Sequence, residues 1–185
     1  EIILNEGRVR VGDLARALDV TTETIRKDLK VLEDRGVLIK KHGSATVRNA
    51  YYQLPFDVKL QENTVQKQWI ARKALDFIQD DSIVYLDPGS TCLQLAKLLR
   101  LKKNITVLTN SLPIGDIICD SGLELIMAGG KLQKKGRAFI GYYTTNVIDS
   151  IRIDIAFLGC DGFQDMDGPM TFSMEHAEIN RHILR

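Results

Sequence analysis

Four short runs, each almost wholly apolar, constrain this chain more than any other feature: Ile83-Val84-Tyr85-Leu86, Ile105–Leu108, Leu123–Ala128 and Ile153–Leu158. Stretches with helical spacing separate them: Ile70, Ala71, Ala74, Leu75 and Ile78 before the first, a helix after Ser90, one around Ile114–Ile118, and one near Val147–Ile151. A strand apolar at every position has no face left for water, so both faces of its sheet must be covered. Strands alternating with helices supply that cover, and they predict an α/β fold with a mostly parallel, Rossmann-like sheet.

Residues 1–48 follow another rhythm. Ile2, Ile3 and Leu4 read as a helix end, stopped at Asn5-Glu6-Gly7. Leu14, Ala15 and Leu18 give an apolar stripe to a second helix, and Asp19-Val20-Thr21 is a tight connector. Thr21 is the expected N-cap of a third helix running to about Asp34, with Gly36 at its C′ position. Val37–Ile39 and Ala45–Val47 then read as a hairpin turning at His42-Gly43-Ser44. Residues 49–65, with Tyr51, Tyr52 and Pro55 and no clear period, read as a linker. The expected organisation is one domain over 1–48, that linker, and a second domain over 66–185.

Charge is informative only when divided. The net charge is +1, yet Thr24–Arg48 holds seven Lys/Arg against three Asp/Glu. On the helix opened by Thr21, Ile25, Leu29 and Leu32 share one face, while Thr22, Glu23, Thr24, Arg26, Lys27 and Lys30 fall outside it. Asp28 flanks the apolar stripe, where an internal hydrogen bond or ion pair is its expected role. Amides and hydroxyls at a helix start can meet phosphate, and arginine offers paired donors to a guanine edge. The spacing suits a helix-turn-helix whose hairpin brings Lys40, Lys41 and His42 beside the groove as a wing. The competing reading is a module that binds protein through the same face.

In the second half, three polar loops follow predicted strands: Asp87-Pro88-Gly89-Ser90-Thr91, Thr109-Asn110-Ser111 and Gly129-Gly130-Lys131. Ligands of open α/β sheets bind outside the carboxyl ends of the strands, and these residues offer amides, hydroxyls and close backbone approach to an anion. With neither a Walker loop nor a GxGxxG fingerprint, no nucleotide cofactor is indicated. Cys92, Cys119 and Cys160 stand far apart without a CxxC pair, which gives no zinc site or disulfide framework and suits a reducing cytoplasm. No apolar run approaches the ~20 residues of a membrane span, and no leader pattern opens the chain.

The string Thr21-x-x-Thr24-Ile25-Arg26-Lys27-Asp28-Leu29, with Leu32-Glu33, Gly36 and His42-Gly43-Ser44-Ala45, resembles the helix-turn-helix signature of the DeoR family of bacterial transcriptional repressors. Thr21 stands where that family usually has Ser, Ser44 where it has Gly, and Arg10 where a good cap would open the second helix. Leu86–Thr91, Thr109–Ser111, Gly129-Gly130, Asp154–Gly159 and Asp161-Gly162-Phe163 resemble, in order, the motifs of the family's sensor domain. The resemblance implies a ribose-5-phosphate isomerase/CoA transferase-like sensor of phosphorylated sugars, with Arg137, Asp161 and Glu175 as further candidates for phosphate or hydroxyl contacts. Family members continue beyond the helix Met174–Leu184, so the sheet is expected to be C-terminally incomplete.

The function expected on these grounds is a cytoplasmic regulator of a sugar-metabolism operon. It would bind double-stranded operator DNA as a dimer or tetramer and be released by a phosphorylated sugar. The alternative is a sugar-phosphate isomerase or transferase with an appended DNA-binding domain. Asp87, Asp161 and Glu175 could serve it as acids or bases, although no pair among them forms a convincing catalytic set.

Overall fold

The computed structural model describes residues 2–3, 8–35, 37–41, 43–47, 56–164 and 168–185. Gly36 and His42 lie outside the described residues, as does the expected linker up to Pro55. The chain divides into two compact units, Glu1–Pro55 and Phe56–Arg185.

Ile2 and Ile3 are helical, as the sequence predicts, and the described chain then forms a strand that the sequence pattern did not predict, β1 (Arg8–Arg10). Helix α1 (Val11–Ala17) follows directly, with Arg10 at its N-cap making no side-chain cap bond. Leu14 and Ala15 are buried, but Leu18, expected on the same stripe, is 53% exposed because the helix has already ended. Asp19 adopts φ 52° and turns the chain toward α2 (Thr22–Asp34). Strands β2 (Leu38–Lys41) and β3 (Ser44–Val47) form the hairpin. β1 adds to its far edge, giving the order β1-β3-β2, antiparallel throughout. Val9, Leu14, Ala15, Ile25, Leu29, Leu38 and Ala45 pack into one core, with Leu32 partly buried at its margin. This is a winged helix-turn-helix.

The second unit begins where a linker was expected, with two helices, α3 (Phe56–Gln61) and α4 (Thr64–Leu75). Phe56 is buried, and its amide donates to Lys135 O at 3.3 Å, so a distant loop anchors α3. Then follow β4 (Ile83–Leu86), α5 (Ser90–Ala96), a 3-10 turn at Leu99–Leu101, β5 (Thr106–Thr109), α6 (Leu112–Cys119) and β6 (Glu124–Met127). The remaining elements are the hairpin β7 (Lys131–Gln133) and β8 (Ala138–Ile140), α7 (Tyr142–Asp149), β9 (Ile155–Phe157), the small hairpin β10 (Gly162–Gln164) and β11 (Gly168–Met170), and α8 (Met174–Ile183).

The main sheet runs β6-β5-β4-β9 with every pairing parallel. Its strands alternate between two cores, as period-two geometry requires. Val84, Leu86 and Val107 enter the core formed with Leu93, Leu95, Leu99, Ile114 and Ile118. Tyr85 and Leu108 enter the opposite one, with Ala128, Ile140, Ile148 and Ile179. Helix α7 starts well before the predicted Val147, since Gly141 is its N-cap and no side chain there signals a start.

Candidate functional site

In the first unit the site is a helix face. Thr21 Oγ1 accepts the Thr24 amide at 3.1 Å and lies 2.9 Å from the Thr24 hydroxyl, closing the first turn of α2. Ile25 and Leu29 are each 3% exposed. Thr22, Glu23, Thr24, Arg26, Lys27 and Lys30 are all exposed, as the helical period predicts. Asp28 is exposed too, and among the described residues it has no ion pair, contrary to the internal role expected of it. Arg26 Nη1 lies 3.5 Å from Glu23 Oε2, a loose surface pair that a phosphate or base edge can displace at little cost.

Lys40 binds the wing to this helix. Its Nζ donates to Arg26 O at 3.2 Å and lies 3.7 Å from Glu33 Oε2, while its amide donates to Glu33 Oε1 at 3.1 Å. Glu23, Arg26, Lys27, Lys30 and Lys40 line a groove of about 420 Å³, closed at the hairpin by Gly43 and Ser44. Lys41 is the last residue of β2.

In the second unit the three polar loops leave the carboxyl ends of β4, β5 and β6, which are neighbours in the sheet, so the loops share one edge. They differ in what their side chains are doing. Thr109, Asn110 and Ser111 are wholly buried. The Thr109 hydroxyl donates to Leu86 O at 2.7 Å and accepts the Ser111 amide at 3.1 Å. Asn110 accepts the Tyr85 hydroxyl and donates to Phe139 O, both at 2.8 Å. Ser111 caps α6 by accepting the Ile114 amide at 3.4 Å. These three residues, expected at the ligand surface, instead bind the loop to β4 and β8 beneath it.

The first and third loops are more open. Gly89 and Thr91 are half-buried, Ser90 is buried, and no side chain caps α5. Gly130 and Lys131 are exposed. Gly130 has φ 151°, and a Cβ there would stand 2.7 Å from Thr144 Oγ1 and 2.9 Å from Ile140 O. The Thr144 hydroxyl donates to Gly129 O at 2.9 Å, which fixes the loop over α7.

Asp87 is 8% exposed, and its Oδ2 accepts the Gly159 amide at 2.9 Å. Burial raises its carboxyl to about 6, a shift the Gly159 bond partly offsets and the nearby Asp161 charge reinforces. The buried Cys92 thiol, next to it, is pushed up to about 12 by burial and by the Asp87 charge. Asp161 goes the other way. Partial burial alone would raise it, but hydrogen bonds from Lys59, the Phe172 amide and Thr171 outweigh that and hold it below the usual carboxylate range.

The remaining predicted residues frame this edge. Arg137 is exposed and pairs with Asp57 at 3.0 Å. Glu175 stands in the first turn of α8 and accepts the Ser173 hydroxyl at 2.8 Å. Its own amide and that hydroxyl lower its carboxyl. Sequence reasoning missed Lys59, which lay in the supposed linker. It also missed Ser173, the α8 N-cap, although a serine three residues before His176 is a readable cap signal.

Residues 62–185 match the DeoR C terminal sensor domain family, and residues 1–50 match the DeoR-like helix-turn-helix domain family. The chain belongs to the DeoR family. Its relatives include the L-fucose operon activator of Escherichia coli K12, 32% identical across 100% of this chain and 77% of that protein. The lactose phosphotransferase system repressor of Staphylococcus epidermidis is 30% identical across 96% of this chain and 72% of its own length. The glycerol-3-phosphate regulon repressor of Escherichia coli K12 is 26% identical across 100% and 73%. Among solved structures, a ribose 5-phosphate isomerase from Methanocaldococcus jannaschii aligns with TM-score 0.41 and 17% identity, over 57% of this chain and 40% of that one. DeoR-family membership makes the chain a DNA-binding transcriptional regulator and sets aside the enzyme alternative. Among the described residues no helix is long and apolar enough to cross a membrane.

Proposed function

We propose that this DeoR-family regulator controls a sugar-metabolism operon, acting in the cytoplasm as a repressor that leaves its operator when a phosphorylated sugar binds the second unit. The observation that carries the DNA half is the outward placement of Arg26, Lys27 and Lys30 on a capped helix whose opposite face is the core. Thr22, Glu23 and Thr24 open that helix at the groove, and Lys40, Lys41 and His42 flank the backbone from the wing. One such helix reads too few base pairs for a genome-wide address, so a homo-oligomer on repeated half-sites completes the reading.

For the effector, the phosphate lies against Gly89, Ser90, Thr91, Gly129, Gly130 and Lys131. The buried Thr109–Ser111 loop holds those residues in place from below. Asp87, Asp161 and Glu175 face hydroxyls, and Arg137 borders the edge. The names of two relatives, the lactose phosphotransferase system repressor and the glycerol-3-phosphate regulon repressor, support an effector of this chemistry. Release then follows from linkage: an effector that favours the conformation with weak DNA affinity is itself bound more weakly by the DNA complex.

The test is an operator selected from random duplexes by the purified protein, followed by anisotropy titration with Arg26→Ala and Lys27→Ala, with and without phosphorylated sugars. Both substitutions should weaken the selected site at least tenfold, and one sugar phosphate should release the wild-type complex. Unchanged affinity in both variants would refute the assignment of α2, and a complex indifferent to every sugar phosphate would refute the effector.

A further inference from the structure

Strand β1 carries two arginines on the face turned away from the core. Val9 is 5% exposed and packs inside the first unit. Its neighbours Arg8 and Arg10 project from the opposite side of the sheet, and both are exposed. β1 is an edge strand, and its register on β3 sets Arg8 opposite Thr46 and Arg10 opposite Ser44. Ser44 is paired in turn with Lys41 of β2, which sets Arg10, Ser44 and Lys41 in one row across the three strands.

Arg8 does not stay at its own level. Its Nε donates at 3.2 Å to the hydroxyl of Ser44, which lies two positions nearer the hairpin turn than its strand partner Thr46. The side chain thus leans along the sheet and brings its guanidinium to the turn end, where Arg10 stands. That end is a wall of the groove that holds Arg26, Lys27 and Lys30: Gly43 and Ser44 line it. Val11 lines it too, directly after Arg10, and its amide donates to Gly43 O at 3.0 Å. Among the described residues neither Arg8 nor Arg10 has an ion pair, whereas Arg26 and Lys40 each have one.

Arg10 also stands where α1 would gain from another residue. Its backbone, at φ -83° and ψ 144°, has the extended geometry of an N-cap, in which serine or threonine accepts an amide of the first turn. Arginine makes no cap bond there, and its charge sits at the helix end that disfavours cations. The fold forgoes local stability at this position, a loss that an anion bound beside it would offset.

We infer that Arg8 and Arg10 form a phosphate clamp for operator DNA at the hairpin wall of the groove, holding the sugar–phosphate backbone beside the segment that α2 reads. A guanidinium on a phosphate oxygen reads charge and not sequence, so the clamp adds affinity to every duplex alike and sets the position of α2 on it. This rests on the first unit holding the duplex along that groove.

The full chain is titrated by anisotropy with the selected operator and with a duplex of shuffled sequence at several salt concentrations, and Tm is recorded for each variant. Arg10→Ser supplies a cap residue and removes the charge. Its Tm should rise, while affinity at about 0.1 M salt falls roughly three- to tenfold for both duplexes. Arg8→Gln combined with Arg10→Ser should lower the slope of log affinity against log salt by about 2. Arg10→Lys keeps the charge and should retain the wild-type slope. Arg35→Gln, which removes an exposed cation at the far end of α2, should leave it unchanged. An unchanged slope in the double variant, or an equal fall from Arg35→Gln, would overturn the clamp. Arg26→Ala keeps the two assignments apart. Weakened operator binding from Arg26→Ala alone would overturn the clamp and leave the role of α2 standing. Weakening from the double variant alone would refute α2 instead, and no weakening from either would overturn both.

Discussion

Lys59 Nζ lies 2.8 Å from Asp161 Oδ1, an ion pair joining residues 102 positions apart. It holds α3 against the loop that follows β9, and it determines much of the charge around Asp161. Replacing Lys59 by Met leaves Asp161 with the Thr171 hydroxyl and the Phe172 amide but no cation. With side-chain exposures of 28% and 15%, the loss should be about 1–2 kcal/mol, less than for a fully buried pair. Urea denaturation of the two proteins measures it, and an unchanged midpoint would mean that the pair contributes no net stability.

Asp87 predicts a pH dependence of the opposite kind to most carboxylates. Its folded-state value, about 6, stands above the ordinary carboxylate value of 3.8, so the folded state holds the proton more tightly than the unfolded one. Below pH 4 both states are protonated and Asp87 imposes no penalty. As pH rises through 6 the buried carboxylate charges, and the penalty grows to about 3 kcal/mol. Asp87→Asn keeps an acceptor for Gly159 and removes the charge. It should therefore be more stable than wild type at pH 7.5, by a margin that shrinks as pH falls to 5. Midpoints in urea at several pH values test this, and a constant margin would contradict it.

Gly130 predicts a local clash. An alanine there meets Ile140 O at 2.9 Å and Thr144 Oγ1 at 2.7 Å, with φ 151° already unfavourable for a side chain. The backbone oxygen cannot swing away as a flexible side chain would. Gly130→Ala should cost about 1–3 kcal/mol, whereas Gly129→Ala, with open space at its Cβ, should cost much less. Thermal melts of the pair decide it.

Thr21 separates helix stability from DNA contact. Thr21→Ala removes the acceptor of the Thr24 amide and should destabilise the first unit by about 1 kcal/mol. Arg26→Ala should leave thermal stability nearly unchanged, because its pair with Glu23 is solvent-exposed, and should still weaken operator binding by about 1.4–3 kcal/mol. Lys27→Ala, if it removes a phosphate contact, should lower the slope of log affinity against log salt by about 1. Melts and salt-dependent titrations separate the three effects.

How far the sequence could be read depended on how local the cause was. Ile83–Leu86 was legible to the residue because a four-residue apolar run rich in β-branched and aromatic side chains, set between helical stretches, suits a strand covered on both faces. The outward side of α2 was legible because Ile25 and Leu29 fix the helix phase. Helix α3 was not, since its stabilising partners, Lys135 O and Asp161, lie far along the chain. β1 is three residues long and carries no period of its own. At the candidate site, residue types pointed to three loops that share one sheet edge but not to the partners of each side chain. Thr109, Asn110 and Ser111 have the hydroxyls and amide a ligand would use, and tertiary contacts occupy them instead.

The sheet order also dictates a timetable. β9 pairs with β4, and Asp87 meets its amide partner at Gly159, 72 residues later. A nascent chain leaving the ribosome can join β4, β5 and β6 as each emerges. Asp87 stays in water until β9 arrives on its other side. The carboxyl edge of the sheet is therefore completed only once β9 has emerged, when the DNA-reading unit has been free to fold for over a hundred residues of translation.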